Sequence, residues 1–210
     1  VQELRDAGYL PEAVRNYLAL LGWGYDDSTT FFSTEELVER FSLERVSRSP
    51  AVFDEKKLRW MNGRYVRDME EAELTRRLEE RLGRGGLSPA VRIAREKMQT
   101  LDEFWPLAGF LFERKDYDER AWRKVMRDGA GDRLGRARTA LAEAEPFAEP
   151  EIERALRGLV EELEVKPGVV FQPVRVAISG TSVSPGIFES VALLGREETL
   201  ARIDLALARA

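Results

Sequence analysis

The chain is 210 residues long, with 43% hydrophobic residues, 34% charged residues and a formal charge of -5. This balance supports one large or two small packed domains and argues against indiscriminate coating of nucleic acid. It contains no cysteine and no histidine, which excludes disulfide frameworks, thiolate and imidazole zinc sites, and catalysis by a thiol nucleophile or an imidazole base.

The longest apolar runs, such as 17–21, fall far short of the ~20 residues that a membrane span needs, so no membrane is expected. Residues 1–6 are polar and helically patterned, unlike a signal peptide. Residues 1–9 read as a short helix closing at Gly8. Pro11 then occupies the first position of a second helix, where its missing N–H costs nothing, and Ala13, Val14, Tyr17, Leu18 and Leu21 recur at the spacing of a buried stripe. Gly22 and Gly24 close it. Residues 26–32 form a polar turn running into aromatics, and a short extended piece is expected over 25–32. Ser33 and Glu36 make a capping box for a third helix with Leu37, Val38 and Phe41 on its inner face. Ser49-Pro50 biases the chain away from helix. Asp54 is the N-cap of the next helix, Leu58 and Met61 face inward with Trp60 beside them, and Asn62-Gly63 reads as its stop.

From 69 onward helix follows helix. Leu74, Leu78 and Leu82 form one stripe, ended by Gly83 and Gly85-Gly86. Ser88-Pro89 opens a helix over 89–101, and Thr100 with Glu103 opens another over 101–112. That last run is apolar on most sides, so it is expected to be the central helix of its bundle. Residues 116–126 are amphipathic through Ala121, Trp122 and Val125, and 129–131 read as a linker. A basic helix over 133–144 and an acidic one over 149–163 follow, broken by Lys166-Pro167-Gly168. The valines of 169–180 have strand propensity, yet nothing nearby offers a partner strand. Ser184-Pro185 and Arg196-Glu197 open the last two helices.

Charge is segregated along the chain. Residues 40–67 carry eight basic side chains against three acidic, 76–97 seven against three, and 120–138 seven against two, whereas 143–164 carry eight glutamates against two arginines. Such segregation suits a protein with one side turned to a polyanion. No phosphate loop, hard-cation loop or fixed-period repeat is present; the glycines at 22–24 and 83–86 lack the strand context and lysine of a phosphate loop and read as helix stops.

Several words in this chain resemble bacterial glutamyl-tRNA synthetases. They are GYLPEAVRNYLALLGWG at 8–24, STEELVERFSLERV at 33–46, SPAVFDEKKLRWMNGRYV at 49–66 and, most specifically, PVRVAISGTSVSPGIFESVALLGREETLARI at 173–203. The resemblance implies a mainly α, two-part helical array: a stem-contact-fold-like module at 1–68, then a helical cage that binds the anticodon, with subdomains at 69–145 and 146–210. It also implies that the valine-rich segment is a helix starting at its proline, Pro173.

In that family, activation of glutamate with ATP and its transfer to tRNA need a HIGH-type motif, impossible without histidine, and a KMSKS-type lysine loop that lies upstream of the matching segment. The resemblance therefore implies a non-catalytic, tRNA-binding portion with no cofactor of its own. ATP and magnesium are expected for the full-length cytoplasmic enzyme, whose partners would be the tRNA for glutamate and the N-terminal catalytic domain. By matching position, stem contacts fall on Arg45, Arg48, Arg59 and Arg64, and anticodon contacts on Arg92, Arg95, Lys97, Arg175, Ser179 and Thr181. Lys97 stands where some members carry an arginine that reads the third anticodon base, and lysine lacks the planar bidentate contact. A synthetase-derived adaptor, or an orphan paralogue that kept the fold without the specificity, is the alternative. A monomer is expected, since no unexplained apolar stripe is evident.

Overall fold

The computed structural model describes residues 1–26, 28–48 and 50–209. Ser49, half of the expected Ser49-Pro50 breaker, and Asp27, in the expected polar turn, lie outside them. The described residues form thirteen α-helices and no strand; in place of the extended piece expected at 25–32 there is one isolated bridge, between Trp23 and Val46. The all-α expectation therefore holds. The chain divides into two compact units, Val1–Gly85 with Arg95–Phe104, and Gly86–Ala94 with Trp105–Ala210.

The first unit contains α1 (Gln2–Asp6), α2 (Pro11–Leu20), α3 (Thr34–Arg40), α4 (Glu55–Asp68) and α5 (Glu71–Leu82). Tyr9, Tyr17, Leu58 and Met61 form the core between α2 and α4. Trp23, Phe32 and Leu37 form a second cluster beside it. Local signals set several helix ends. The Ser33 hydroxyl accepts from the Glu36 amide at 3.1 Å while Glu36 accepts from the Ser33 amide at 2.8 Å, Asp54 accepts from the Lys57 amide at 3.0 Å, and Gly83 ends α5 at φ +62°. Gly8 has φ +77° and lies so close to the backbone of Leu101 and Asp102 that a Cβ would stand 2.6 Å from the Asp102 amide nitrogen, so only glycine fits.

Three sequence expectations fail here, each for a tertiary reason. Asn62-Gly63 does not stop α4. Asn62 is fully buried, its Oδ1 accepting from the Leu10 amide at 2.7 Å and its Nδ2 donating to the Gln99 carbonyl at 2.5 Å; Gly63 makes room for the Gln99 side chain. The stripe on α2 takes in Asn16 rather than Leu18, which is 47% exposed, because Asn16 Oδ1 accepts from the Phe32 amide at 3.0 Å and lies 2.5 Å from the Tyr65 hydroxyl. Burial pushes that phenol up to about 12. On α3 Leu37 faces inward and Val38 is exposed, while the following Phe41, 44% exposed, still packs its ring against Trp23 at 5.6 Å.

The second unit contains α6 (Ser88–Ala94), the greater part of α7 (Phe104–Ala108), α8 (Glu119–Val125), α9 (Ala130–Glu143), α10 (Glu149–Glu162), α11 (Pro167–Ser179), α12 (Ile187–Leu194) and α13 (Arg196–Arg209). The expected central helix over 101–112 is instead a 3-10 turn, the short α7 and a second 3-10 turn at Gly109–Leu111. Gly109 packs directly beneath the Trp105 indole, and two Phe112 and Glu113 amides turn back onto its carbonyl. The helix over 89–101 likewise ends at Ala94, and the linker residues Ala130 and Gly131 already belong to α9. The central place goes to α11, the valine-rich segment, which packs on α8, α9, α10, α12 and α13. Its Val170, Val174, Val176, Ala177 and Ile178 are buried. The expected helix is therefore present, but it starts at Pro167 rather than at Pro173, which lies inside it.

One cation organises this unit. Arg202, 5% exposed, donates from Nη1 to the Ile178 carbonyl at 2.7 Å and the Phe110 carbonyl at 2.8 Å, and from Nε to Glu198 Oε1 at 2.7 Å. Arg114 grips the same carboxylate at 2.8 Å. Together Arg114 and Arg202 hold the Glu198 carboxyl at about 2, down from 4.5. Because the folded value is depressed, the stabilisation from this carboxylate is complete above pH ~4.5 and lost as pH falls toward ~2. In acid titrations of stability, Glu198→Gln should flatten this limb and leave the neutral plateau lower. In the first unit, Asn62→Ala leaves a buried amide and carbonyl without partners and should cost about 2–3 kcal/mol in urea unfolding.

Candidate nucleic-acid interface

The first unit presents guanidinium groups laid on aromatic rings. Arg40 and Arg45 lie over the Tyr25 ring, 4.9 Å and 5.5 Å from its centroid, and Arg45 also donates to the Tyr25 carbonyl. Tyr25 meets Phe32 edge-on at 6.2 Å. The neighbouring Phe31 packs against Trp60 at 5.4 Å and Tyr65 at 5.9 Å, with Arg64 over its ring at 5.8 Å. On α4, Lys56, Trp60 and Arg64 recur every four residues and share one face; Trp60 is 52% exposed. Phe31-Phe32 thus link two cationic, aromatic surfaces, the kind on which unstacked bases and phosphates are held. The Thr29 hydroxyl and the Thr29 and Ser28 amides hold the Asp26 carboxyl well below the carboxylate range.

The expected stem residues divide. Arg45 and Arg64 belong to this surface, Arg64 also pairing with Asp68 at 2.6 Å. Arg48 is exposed. Arg59 is paired with Glu103, whose carboxylate also accepts from the Gln99 amide at 2.5 Å. Arg40, Lys56, Tyr25 and Trp60 were absent from the sequence-based set; the i, i+4 spacing of Lys56, Trp60 and Arg64 was the signal that could have found two of them.

The expected anticodon residues divide more sharply. Arg92, on α6, and Lys97 are exposed. Half-buried Arg95 donates from Nη2 to the Met69 carbonyl at 2.5 Å and to the Arg67 carbonyl, capping the C-terminus of α4. Arg175 donates to the Pro185 carbonyl at 2.8 Å, the Ser184 carbonyl at 3.2 Å and the Ser184 hydroxyl; burial lowers its pKa. Ser179 is 2% exposed, its hydroxyl 2.8 Å from the Arg175 carbonyl and 3.1 Å from that of Thr181, and the Thr181 hydroxyl donates to the Val183 carbonyl at 2.6 Å. Arg175, Ser179 and Thr181 therefore come together around one loop, 180–186, and shape it.

Residues 56–207 match the anticodon binding domain family, and residues 1–60 match the catalytic domain of class I tRNA synthetases (E and Q), so the two matches meet on α4. The chain belongs to the anticodon binding domain family. Among curated proteins it is similar to glutamate–tRNA ligase 1 of Caldanaerobacter subterraneus subsp. tengcongensis, with 39% identity over 99% of this chain and 46% of that protein. Its identity to the glutamate–tRNA ligase of Moorella thermoacetica is 40%, over 98% of this chain and 45% of the relative. It thus spans just under half the length of these relatives. The crystal structure of a glutamate tRNA ligase from Elizabethkingia meningosepticum superimposes with TM-score 0.82 at 25% identity, covering 98% of this chain and 42% of that one. A second, from Elizabethkingia anophelis, shares the fold with TM-score 0.78.

The geometry separates shaping arginines from presenting ones. Arg175→Ala should lower unfolding free energy by about 2–3 kcal/mol, because it strands buried carbonyls, whereas Arg45→Ala should change it by less than about 0.5 kcal/mol. Urea denaturation of both variants measures the contrast.

Proposed function

We propose that this chain binds the tRNA specific for glutamate and contributes stem contact and anticodon recognition to a glutamate–tRNA ligase. The observation that carries this reading is the match of residues 56–207 to a family defined by anticodon binding; the arginine and aromatic surface of the first unit supports it. Residues 1–68 act as the stem-contact module, through Arg45, Arg48, Arg59 and Arg64. Residues 69–145 and 146–210 form the two anticodon-binding subdomains. There Arg92 and Lys97 meet the RNA directly, while Arg95, Arg175, Ser179 and Thr181 fix the backbone that the anticodon loop approaches. ATP, magnesium and the ligation step belong to the whole protein, which works as a cytoplasmic monomer. No helix among the described residues is long and apolar enough to cross a membrane.

Binding of the chain to glutamate tRNA, against a tRNA with another anticodon and at two salt concentrations, tests this reading. Preference for the glutamate tRNA is expected, with affinity falling steeply as salt rises. Arg45→Ala combined with Arg64→Ala should weaken binding about tenfold and reduce the salt slope by about two. Equal, weak binding to both tRNAs overturns anticodon reading by this chain.

A further inference from the structure

Phe31 and Phe32 serve different surroundings. The Phe32 ring is 2% exposed, packs with Trp23 and Leu37, and meets Tyr25 edge-on. Phe31 is half-buried, against Trp60 and Tyr65 and under the Arg64 guanidinium. The cationic face over Tyr25 and the cationic face beside Trp60 therefore both depend on where this one dipeptide is held.

Neither phenylalanine belongs to a helix, so no helical hydrogen bonds fix their backbone. Two side chains remote in sequence do so instead. Asn16 on α2, 0% exposed, accepts from the Phe32 amide at 3.0 Å, and the Tyr65 hydroxyl on α4 donates to the Phe32 carbonyl at 2.7 Å. The same hydroxyl lies 2.5 Å from Asn16 Oδ1. Both backbone polar groups of Phe32 are thus gripped by a joined pair, and releasing either grip strands a buried polar group. Arg64, next to Tyr65 in the chain, lies over the Phe31 ring, so α4 holds the dipeptide by ring and by backbone. Asn16 is too deeply buried to touch a ligand, and the Tyr65 hydroxyl is taken up by two protein oxygens.

We infer that Asn16 and Tyr65 are positioning residues for RNA binding: acting through the Phe31-Phe32 backbone, they hold the Tyr25 face and the Trp60 face in one register. RNA then meets both aromatic faces without first having to order them, which is where a rigid surface gains affinity. The inference rests on the tRNA-binding reading above and gives a role in it to two side chains outside the expected contact set.

The test is a double-mutant cycle read by fluorescence anisotropy of labelled glutamate tRNA, well below each variant's melting temperature and at several salt concentrations. Tyr65→Phe keeps the ring against Phe31 and removes only the hydroxyl. It should weaken binding about fivefold with the salt slope unchanged, because no phosphate contact is lost. In a chain already carrying Tyr25→Leu and Trp60→Leu, the rings that the clamp aligns are gone, and adding Tyr65→Phe should change affinity by less than about twofold; low salt keeps that background measurable. An equal loss in both backgrounds marks Tyr65 as a general stability residue, and a lowered salt slope marks it as a phosphate contact; either overturns the inference. It is also overturned if Tyr65→Phe alone binds within twofold of the unsubstituted chain while Arg45→Ala with Arg64→Ala still weakens binding, a result that leaves the tRNA-binding reading standing. Absence of binding by the unsubstituted chain overturns both.

Discussion

Short helices set the central constraint on this protein. The described helices run from five to fourteen residues, and every helix ends in backbone carbonyls that the helix itself cannot satisfy. Four of those ends are closed by an arginine from elsewhere in the same unit. Arg81 reaches the Arg5 and Asp6 carbonyls at the end of α1, Arg95 the end of α4, Arg196 the Ala142 and Ala144 carbonyls at the end of α9, and Arg202 the end of α11. A helix C-terminus is the negative pole of its dipole, and a planar guanidinium can serve two or three carbonyls at once. Lysine, with one ammonium, cannot replace it at such a junction.

This use of arginine governs how the charge pattern should be understood. The basic excess over 76–97 looks like an RNA-facing stripe in the sequence. In the structure Arg76 and Arg77 pair with Glu73, with Glu80 and with Glu12, while Arg81 and Arg95 serve carbonyls. Arg84, Arg92 and Lys97 are the remaining basic side chains of that segment, and all three are exposed. Over 40–67 the outcome is different, because Arg40, Arg45 and Arg64 lie on exposed or half-exposed aromatic rings. Net charge per segment does not distinguish these cases; the partner of each guanidinium does.

Local chemistry made much of the fold legible. The capping box at Ser33 and Glu36, the Asp54 cap, the proline that opens α2 and the left-handed glycine after α5 all act over three or four residues, and all were read from the sequence; Pro167, which reads as a break, instead opens α11. What was not legible depends on distant groups. Asn62-Gly63 looks like a helix end until the Leu10 amide and the Gln99 carbonyl are placed beside it. The run over 101–112 looks like one central helix until Gly109 is found folded under Trp105. The candidate site follows the same division: Arg45 and Arg64 were named from a matching motif, whereas the ring systems beneath them depend on Tyr25 and Phe31, far from both in the chain.

The aromatic surface also gives the protein an optical asymmetry. Of its four tryptophans, Trp23 and Trp122 are buried, and Trp105 is half-buried and stacked on Phe112 with rings 14° from parallel. Trp60 alone has more than half its surface in water, beside Lys56 and Arg64. Its emission is therefore red-shifted relative to the other three, and a base stacked on it would quench that component selectively. The fold carries its own spectroscopic probe on the face proposed to meet RNA.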